Sequence, residues 1–169
     1  FGIVNGDNGY DHVTIKNLDP ETVYQFKMGS GSKLYDNSGS TYNQKTARTT
    51  SDAPPVADPA YGKVLVVGGA APKEALVYLT VAGGTALSSF TRTDGNWLIT
   101  LNNARSVDLS AYISYISEGD NIDIFISAPE GIAQAKTDTK NHNPVPNITI
   151  GDNYDFAKKS QQQASSFSI

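Results

Sequence analysis

The strongest indication of the fold is the stretch Leu18-Asp19-Pro20-Glu21-Thr22-Val23-Tyr24-Gln25-Phe26. A strand is predicted to end at Leu18, a turn containing Pro20 follows, and Tyr24 enters the next strand six residues after the leucine. In a β-sandwich this arrangement forms the corner between two sheets, where the tyrosine hydroxyl bonds to the backbone upstream. The stretch therefore predicts a β-sandwich.

These residues closely resemble the L-x-P-x-T-x-Y-x-F signature of fibronectin type III domains, with Leu18, Pro20 and Tyr24 at its structural positions. The resemblance implies that residues 1–50 hold the last three strands of such a domain. Only 17 residues precede Leu18, whereas a complete domain of roughly 100 residues places three or four strands there. We therefore expect the first module to be incomplete.

An incomplete sandwich exposes sheet edges, and exposed edges pair with other chains. Three explanations stay open for the strands that are expected but absent. Another copy of the chain supplies them, they were lost from a fragment, or the sequence comes from a larger assembly and is incomplete. The expected partners are therefore other copies of the chain or neighbouring β-sandwich domains, bound by strand pairing.

The composition indicates an all-β protein. Of the 169 residues, 38% are hydrophobic and 18% charged, which is less charge than the usual quarter. Gly, Ser, Thr, Asn and Asp take up the difference, and such turn residues favour short strands joined by short loops. A net charge of −4 argues against a nucleic-acid partner, and no apolar run approaches the roughly 20 residues of a membrane span.

The chain has no cysteine, which excludes disulfides and thiolate metal sites. A β-sandwich without cysteine suits an extracellular protein of the bacterial surface, and the same absence fits a cytosolic protein.

Residues 51–60 are predicted to be a linker, because Pro54, Pro55 and Pro59 lie close together and favour a semi-rigid, extended spacer. A second sandwich is predicted over 61–151. Its strands are expected at residues 63–67, 76–81, 87–93, 97–101, 121–128, 134–139 and 148–150. Asp94-Gly95 between two of them predicts a hairpin.

Two segments of this second half allow more than one interpretation. Residues 105–118 have apolar side chains at helical spacing behind Asp108, so a short capped helix and an ordered loop are equally open. Residues 152–169 are predicted to be a polar tail. Its Phe167 and Ile169 alternate with serines and offer a short strand for a neighbour's sheet edge.

The second half carries a resemblance of its own. The segments that carry it are Gly62-Lys63-Val64, Glu74-Ala75-Leu76-Val77-Tyr78-Leu79 and Thr91-Arg92-Thr93-Asp94-Gly95-Asn96-Trp97-Leu98-Ile99. They are similar to carboxypeptidase-regulatory-like and collagen-adhesin B-type domains, which are transthyretin-like sandwiches of seven strands. The expected architecture is thus two Ig-like β-sandwich modules in tandem. Such modules space, stiffen or adhere in bacterial surface proteins.

No nucleophile motif, phosphate-binding glycine loop or H-E-x-x-H pattern occurs in the sequence, so no enzyme activity and no cofactor are expected. His12 and His142 lie in separate modules. Gly-Asp-Asn occurs three times, at residues 6–8, 119–121 and 151–153, each time with an aspartate shortly after it. Carboxylates at strand ends can hold Ca²⁺, and the same residues also form tight turns. The calcium candidates are Asp120, Asp123, Asp152 and Asp155.

The collagen-adhesin resemblance also implies an intramolecular isopeptide bond. Lys63 and Asn147 stand at plausible positions for the two bonded residues, and Asp123 is the candidate for the buried acid that catalyses amide formation. The alternative is a solvated Lys63 and an Asn147 in a turn.

Trp97 allows two interpretations, a platform for stacking sugars or a core residue as in the resembling domains. Five tyrosines are candidates for an exposed adhesive strip: Tyr35, Tyr42, Tyr61, Tyr112 and Tyr115. The expected function is that of a non-catalytic extracellular stalk, adhesin or filament subunit, with a surface glycan or protein as a possible ligand. The alternative is an accessory or carbohydrate-binding region of a secreted multidomain enzyme.

Overall fold

The protein is all-β. The structure is a computed structural model that describes residues 2–4, 12–30, 32–35, 38–53, 55–115 and 119–157, with the backbone alone at residues 2–4, 12–14 and 30. In chain order its strands are β1 (Gly2–Val4), β2 (His12–Thr14), β3 (Val23–Phe26), β4 (Met28–Ser30), β5 (Lys33–Tyr35), β6 (Tyr42–Lys45), β7 (Pro59–Leu65), β8 (Leu76–Val81), β9 (Leu87–Phe90), β10 (Asn96–Thr100), β11 (Asn121–Ala128), β12 (Gly131–Asp138), β13 (Ile148–Thr149) and β14 (Asn153–Asp155).

The first part of the chain, up to residue 50, forms three antiparallel pairs, β1 with β2, β3 with β6, and β4 with β5. The predicted hydrogen bond of Tyr24 is present, since its hydroxyl accepts from the Asp19 backbone N–H at 2.9 Å. The turn at Pro20 is closed by Thr46, whose hydroxyl donates to the Asp19 carbonyl at 2.6 Å. Leu18 does not end a strand as predicted, because β2 already ends at Thr14.

The described side chains of the first part form no hydrophobic core of their own. Between residues 15 and 53, none of the side chains that the structure describes is fully buried. Val23, Met28 and Leu34 are 59%, 49% and 57% exposed. Apolar groups that ordinarily drive folding therefore face solvent here.

The second part consists of two sheets packed around one core. The first sheet has the strand order β10-β7-β13, and the second has the order β14-β12-β11-β8-β9. Alternate residues of β8 and β11 point into the core, where Val77, Leu79, Ile122 and Ile126 are completely buried. Ile148 of β13 meets them from the opposite sheet. The two sheets thus form two layers, and each layer covers one face of the other.

Several predicted strands agree closely with this structure. The ranges 76–81 and 121–128 coincide with β8 and β11, and each of the other five predicted strands overlaps an observed one. The agreement is good because β-branched residues alternating with polar ones are a local signal of a half-buried strand.

Residues 105–115 form an ordered loop, so the helical alternative is wrong for the described part of this segment. Leu109 has a φ of 63°, which is incompatible with a right-handed helix. Asp108 holds the loop together instead of capping a helix. The Ser106 hydroxyl, and then the N–H and hydroxyl of Ser110, donate hydrogen bonds that lower the pKa of Asp108 to about 2.

The segment predicted to be a polar tail begins with a strand. β14 pairs in parallel with β12, and the ring of Phe156 just after it is buried and stacked on Tyr154 at 5.2 Å between centroids. Parallel pairing requires a distant partner strand, so local sequence did not reveal it. Phe167 and Ile169 lie outside the described residues.

The Asp94-Gly95 turn is present, but it does not join two strands of one ladder as predicted. Gly95 has a φ of 81° and donates its N–H to the Arg92 carbonyl at 2.8 Å. β9 and β10, on either side, belong to different sheets. The turn therefore carries the chain from one layer of the sandwich to the other.

Replacing Gly95 with alanine should destabilise the protein more than the same change at Gly68. Both glycines have positive φ, of 81° and 98°, so each substitution costs about 1–2 kcal/mol of backbone strain. A Cβ at residue 95 would also lie 2.4 Å from the Val64 carbonyl oxygen, whereas one at residue 68 meets nothing within 4 Å. Overpacking of this kind adds about 1–3 kcal/mol.

The measurement is urea unfolding of both variants, followed by the fluorescence of the buried Trp97. Equal losses of unfolding free energy for Gly95→Ala and Gly68→Ala would show that the contact with β7 is unimportant.

Candidate functional site

A groove with a volume of 490 Å³ lies on the outer face of the five-stranded sheet, over β8, β11, β12 and β14. The alternation that buries Val77 and Ile124 on the inner face turns Tyr78 and Phe125 outward. Successive side chains of a strand point to opposite faces, so the same register forms both the core and the groove.

One row of side chains crosses all five strands. In the ladder, Ser88 of β9 lies opposite Tyr78, Tyr78 opposite Phe125, Phe125 opposite Gln134 and Gln134 opposite Asn153. We call these five residues the aromatic row. Neighbouring strands lie about 4.8 Å apart, so the row is about 19 Å long.

The centre of the aromatic row is formed by two exposed rings. Tyr78 and Phe125 are each 38% exposed, and their centroids lie 6.2 Å apart with an angle of 40° between the ring planes. Hydroxyl and amide groups flank the rings along the row. The surface therefore combines apolar ring area with hydrogen-bonding groups.

A second row runs parallel to the first and consists of Thr80, Asp123, Lys136 and Asp155. We call it the charged row. Lys136 stands between the two aspartates and approaches Asp123 at 3.9 Å. The two carboxylates and the one ammonium give the row a net charge of about −1 at neutral pH.

A second cluster lies where the linker meets the second part. The His142 ring nitrogen Nε2 lies 2.8 Å from Asp58 Oδ1, and the Tyr115 hydroxyl donates to Asp58 Oδ2 at 2.7 Å. We call these three residues the latch. Asp58 comes directly before β7, His142 follows β12, and Tyr115 belongs to the loop before β11, so the latch ties three distant segments together.

Burial by itself raises the pKa of the Asp58 carboxyl. The hydrogen bonds from His142 and Tyr115, together with attraction to His142, outweigh this effect and hold the pKa of Asp58 below its ordinary value of 3.8. Burial, and then the bond to Asp58, raise the pKa of Tyr115, so its hydroxyl stays protonated and donates.

Among the described residues, the histidine–aspartate pair of the latch has no nucleophile bonded to it. His142 is 7% exposed, and its second nitrogen, Nδ1, is buried without a hydrogen-bond partner among the described residues. Catalysis of nucleophilic attack requires a hydroxyl or thiol at that nitrogen. The contacts of the latch instead join the linker to the sandwich.

Trp97 is a core residue. It is 3% exposed and packs against Gly62 of the neighbouring strand, where an added Cβ would lie 3.1 Å from the indole. The interpretation as a sugar platform is therefore wrong for Trp97, and the alternative, a core residue, is confirmed.

The calcium candidates do not converge. Among the described residues, no group of three or more acidic or histidine side chains could hold a metal ion. Lys136 separates Asp123 from Asp155, and Asp152 accepts a hydrogen bond from the Tyr154 hydroxyl at 3.2 Å. The backbone N–H of Asp120 donates to the Thr139 hydroxyl at 3.0 Å. Two of the Gly-Asp-Asn segments thus form turns, and the one at residues 6–8 lies outside the described part.

The isopeptide candidates are only partly brought together. Parallel pairing of β13 with β7 places Ile148 beside Val64, so Asn147 and Lys63 stand at neighbouring positions. The Asp123 side chain is 68% exposed on the outer face of the other sheet. It cannot supply the buried acid that amide formation needs, because the core separates it from Lys63.

The five candidate tyrosines do not form a strip, because they occupy separate sites. Tyr42 stacks on Phe26 at 5.6 Å, and the Tyr112 ring lies under the Arg105 guanidinium at 3.8 Å. Tyr115 belongs to the latch. Tyr35 contacts Lys33, and Tyr61 lies on β7.

The aromatic row and the latch were not predicted. A local signal for the row exists in the segments Val77-Tyr78-Leu79 and Ile124-Phe125-Ile126. In each of them an aromatic residue occupies the outward position of an alternating strand, where a polar residue is ordinarily found. No such signal exists for the latch, whose members are far apart in sequence.

Comparison with protein-family models, with curated proteins and with solved structures gives no match. Within the described residues, the chain has no helix of the length and hydrophobicity that a membrane span requires.

Replacing Asp58 with asparagine should destabilise the protein by about 1–3 kcal/mol at neutral pH, because the buried His142 and the partly buried Tyr115 lose their charged partner. The pKa of Asp58 is lower in the folded protein than its ordinary value. Its contribution is therefore complete above pH 3.8 and is lost as the pH falls through the folded pKa. The difference between the wild type and Asp58→Asn should shrink in acid.

Urea unfolding at neutral pH and in a series of acidic buffers measures this difference. Asp52→Asn removes an exposed carboxylate of the same linker and should leave the unfolding free energy unchanged. A difference that persists at the acidic end would show that the charge of Asp58 is not the cause.

Proposed function

We propose that this chain is a non-catalytic structural segment of an extracellular bacterial protein, in which Ig-like modules in tandem serve as a stalk or filament. The observation that carries the proposal is the fixed junction between the linker and the second sandwich. A stalk must transmit position and force along its axis, and this requires stiff connections between its modules.

The linker is fixed at several points. The Asn102 side-chain amide donates to the Pro55 carbonyl at 3.0 Å, and the Leu101 N–H donates to the Asp58 carbonyl at 2.8 Å. His142 and Tyr115 bind the Asp58 side chain. Before the linker, the Arg48 N–H donates to the Leu109 carbonyl at 3.1 Å. Hydrogen bonds thus flank the proline-rich segment on both sides.

The first part supplies support for assembly with other modules. The stacked rings of Phe26 and Tyr42 lie at opposite positions of the β3–β6 ladder, and Met28, two residues after Phe26, is half-exposed. An apolar sheet face of this kind is stabilised when another layer covers it. We assign that cover to a second copy of the chain or to a neighbouring module whose sheet packs face to face on it.

The alternative function, an accessory region of a secreted enzyme that binds carbohydrate, is favoured by one observation, the exposed aromatic row. The two functions differ in what they require. A stalk needs the stiff junction, and a binding module needs the row.

The stiffness of the junction can be measured by ¹⁵N relaxation of the labelled chain. The amides of Val56, Ala57 and Asp58 should have order parameters of about 0.85, the value of rigid backbone. Asn102→Ala removes the amide that holds Pro55, and in combination with Asp58→Asn it should lower these values below about 0.6.

Asn103→Ala is the matched control, because Asn103 is the exposed neighbour of the buried Asn102 in the same turn. Low order parameters in the wild-type linker would contradict the stiff junction, and with it the stalk.

The filament version is tested by negative-stain electron microscopy of the native material, with an intact mass from the same sample. Completion of the first part by neighbouring copies should give long regular filaments whose repeating mass is that of the 169-residue chain. A sample of monomers alone would exclude the filament and leave the stalk.

A further inference from the structure

The aromatic row lies outside the hydrophobic core of the second part. Its rings point away from the core, which is filled by the alternate residues of the same strands. In an alternating strand the outward positions are ordinarily polar. Two neighbouring aromatic residues at such positions, on the two strands β8 and β11, therefore indicate a binding surface.

The composition of the row defines the chemistry of a ligand. The faces of Tyr78 and Phe125 are electron-rich and attract weakly positive C–H groups. Gln134 and Asn153 each offer both donors and an acceptor, and the Ser88 hydroxyl lies at the other end. A matching ligand has an apolar C–H face and hydroxyl groups around its rim, and a pyranose ring has both.

The charged row restricts the ligand further. Its net charge of about −1 disfavours anionic ligands such as uronic acids or sulfated glycans. Asp123 and Lys136 already compensate each other at 3.9 Å, so no strong positive charge is required of the ligand either. The electrostatics therefore fit a neutral sugar.

The shape of the surface favours an oligosaccharide over a peptide strand. β8, β11 and β12 are each paired on both sides, so their backbone groups are not available for strand addition. Side chains alone can bind a ligand here. A row about 19 Å long and a groove of 490 Å³ accommodate several linked sugar rings.

We propose that the outer face of the five-stranded sheet binds a neutral oligosaccharide, which stacks on Tyr78 and Phe125 and hydrogen-bonds to Gln134 and Asn153. The site goes beyond the structural role proposed above and gives the segment an adhesive function. It does not involve Trp97.

The test is a ¹⁵N NMR titration of the whole chain with a panel of neutral oligosaccharides from β-glucan, xylan, mannan and chitin, and with a proline-rich peptide. At least one oligosaccharide should shift the amide resonances of the aromatic row. Tyr78→Ala and Phe125→Ala should each weaken its binding by about tenfold. Gln134→Ala, at an exposed position of β12, provides a third variant that does not change the rings.

Tyr61→Ala is the matched control, because Tyr61 is also 38% exposed but lies on the opposite sheet. Its affinity should equal that of the wild type. The proposal is overturned if no oligosaccharide of the panel binds, if the shifted resonances map elsewhere, or if Tyr61→Ala loses as much affinity as Tyr78→Ala. Binding of the proline-rich peptide alone at the row would overturn it as well. The binding test is independent of the test of linker stiffness, because Asn102 and Asp58 do not line the groove.

Discussion

The register of β11 between β8 and β12 is the constraint on which the second part of the structure depends. Ile122, Ile124 and Ile126 project from β11 into the core, and each is at most 2% exposed. A slip of one residue would move these isoleucines into solvent and turn Asp123 and Phe125 inward. The burial of three β-branched side chains therefore also fixes which residues line the groove. The aromatic row and the charged row are aligned across the sheet because the core tolerates no other register.

The latch depends on a different pairing, between β7 and the segment after β12. The Tyr61 N–H donates to the His142 carbonyl at 3.2 Å, and the Tyr61 carbonyl accepts from the Val145 N–H at 2.7 Å. These backbone bonds bring the His142 ring beside Asp58 at the beginning of β7. The linker is thus fixed by β7, the central strand of the three-stranded sheet, which connects the end of the linker to the core.

The parts of this structure that the sequence predicts are those with a local cause. β8 and β11 follow from apolar residues at alternate positions, and the Tyr24–Asp19 hydrogen bond spans only five residues. The latch joins residues 84 and 57 positions apart, and no periodicity encodes such a contact. β14 was not predicted because its partner, β12, is a parallel strand. The groove was not predicted because its residues come together only when four strands are in register. Trp97 could be placed in the core because a single tryptophan without aromatic companions ordinarily packs inside.

The sheet edges and the outer sheet face of the second part can bind different partners at the same time. Strand pairing uses the backbone groups of edge strands, which in the five-stranded sheet are β9 and β14. The aromatic row uses side chains on the outer face of that sheet, and its two rings lie on β8 and β11, whose backbone groups are already paired on both sides. A neighbour added at β9 would extend the sheet and leave the rings of Tyr78 and Phe125 open to solvent. Strand pairing at the edges and sugar binding on the outer face are therefore compatible in one module, because the first uses backbone groups of edge strands and the second uses side chains on the face of the sheet.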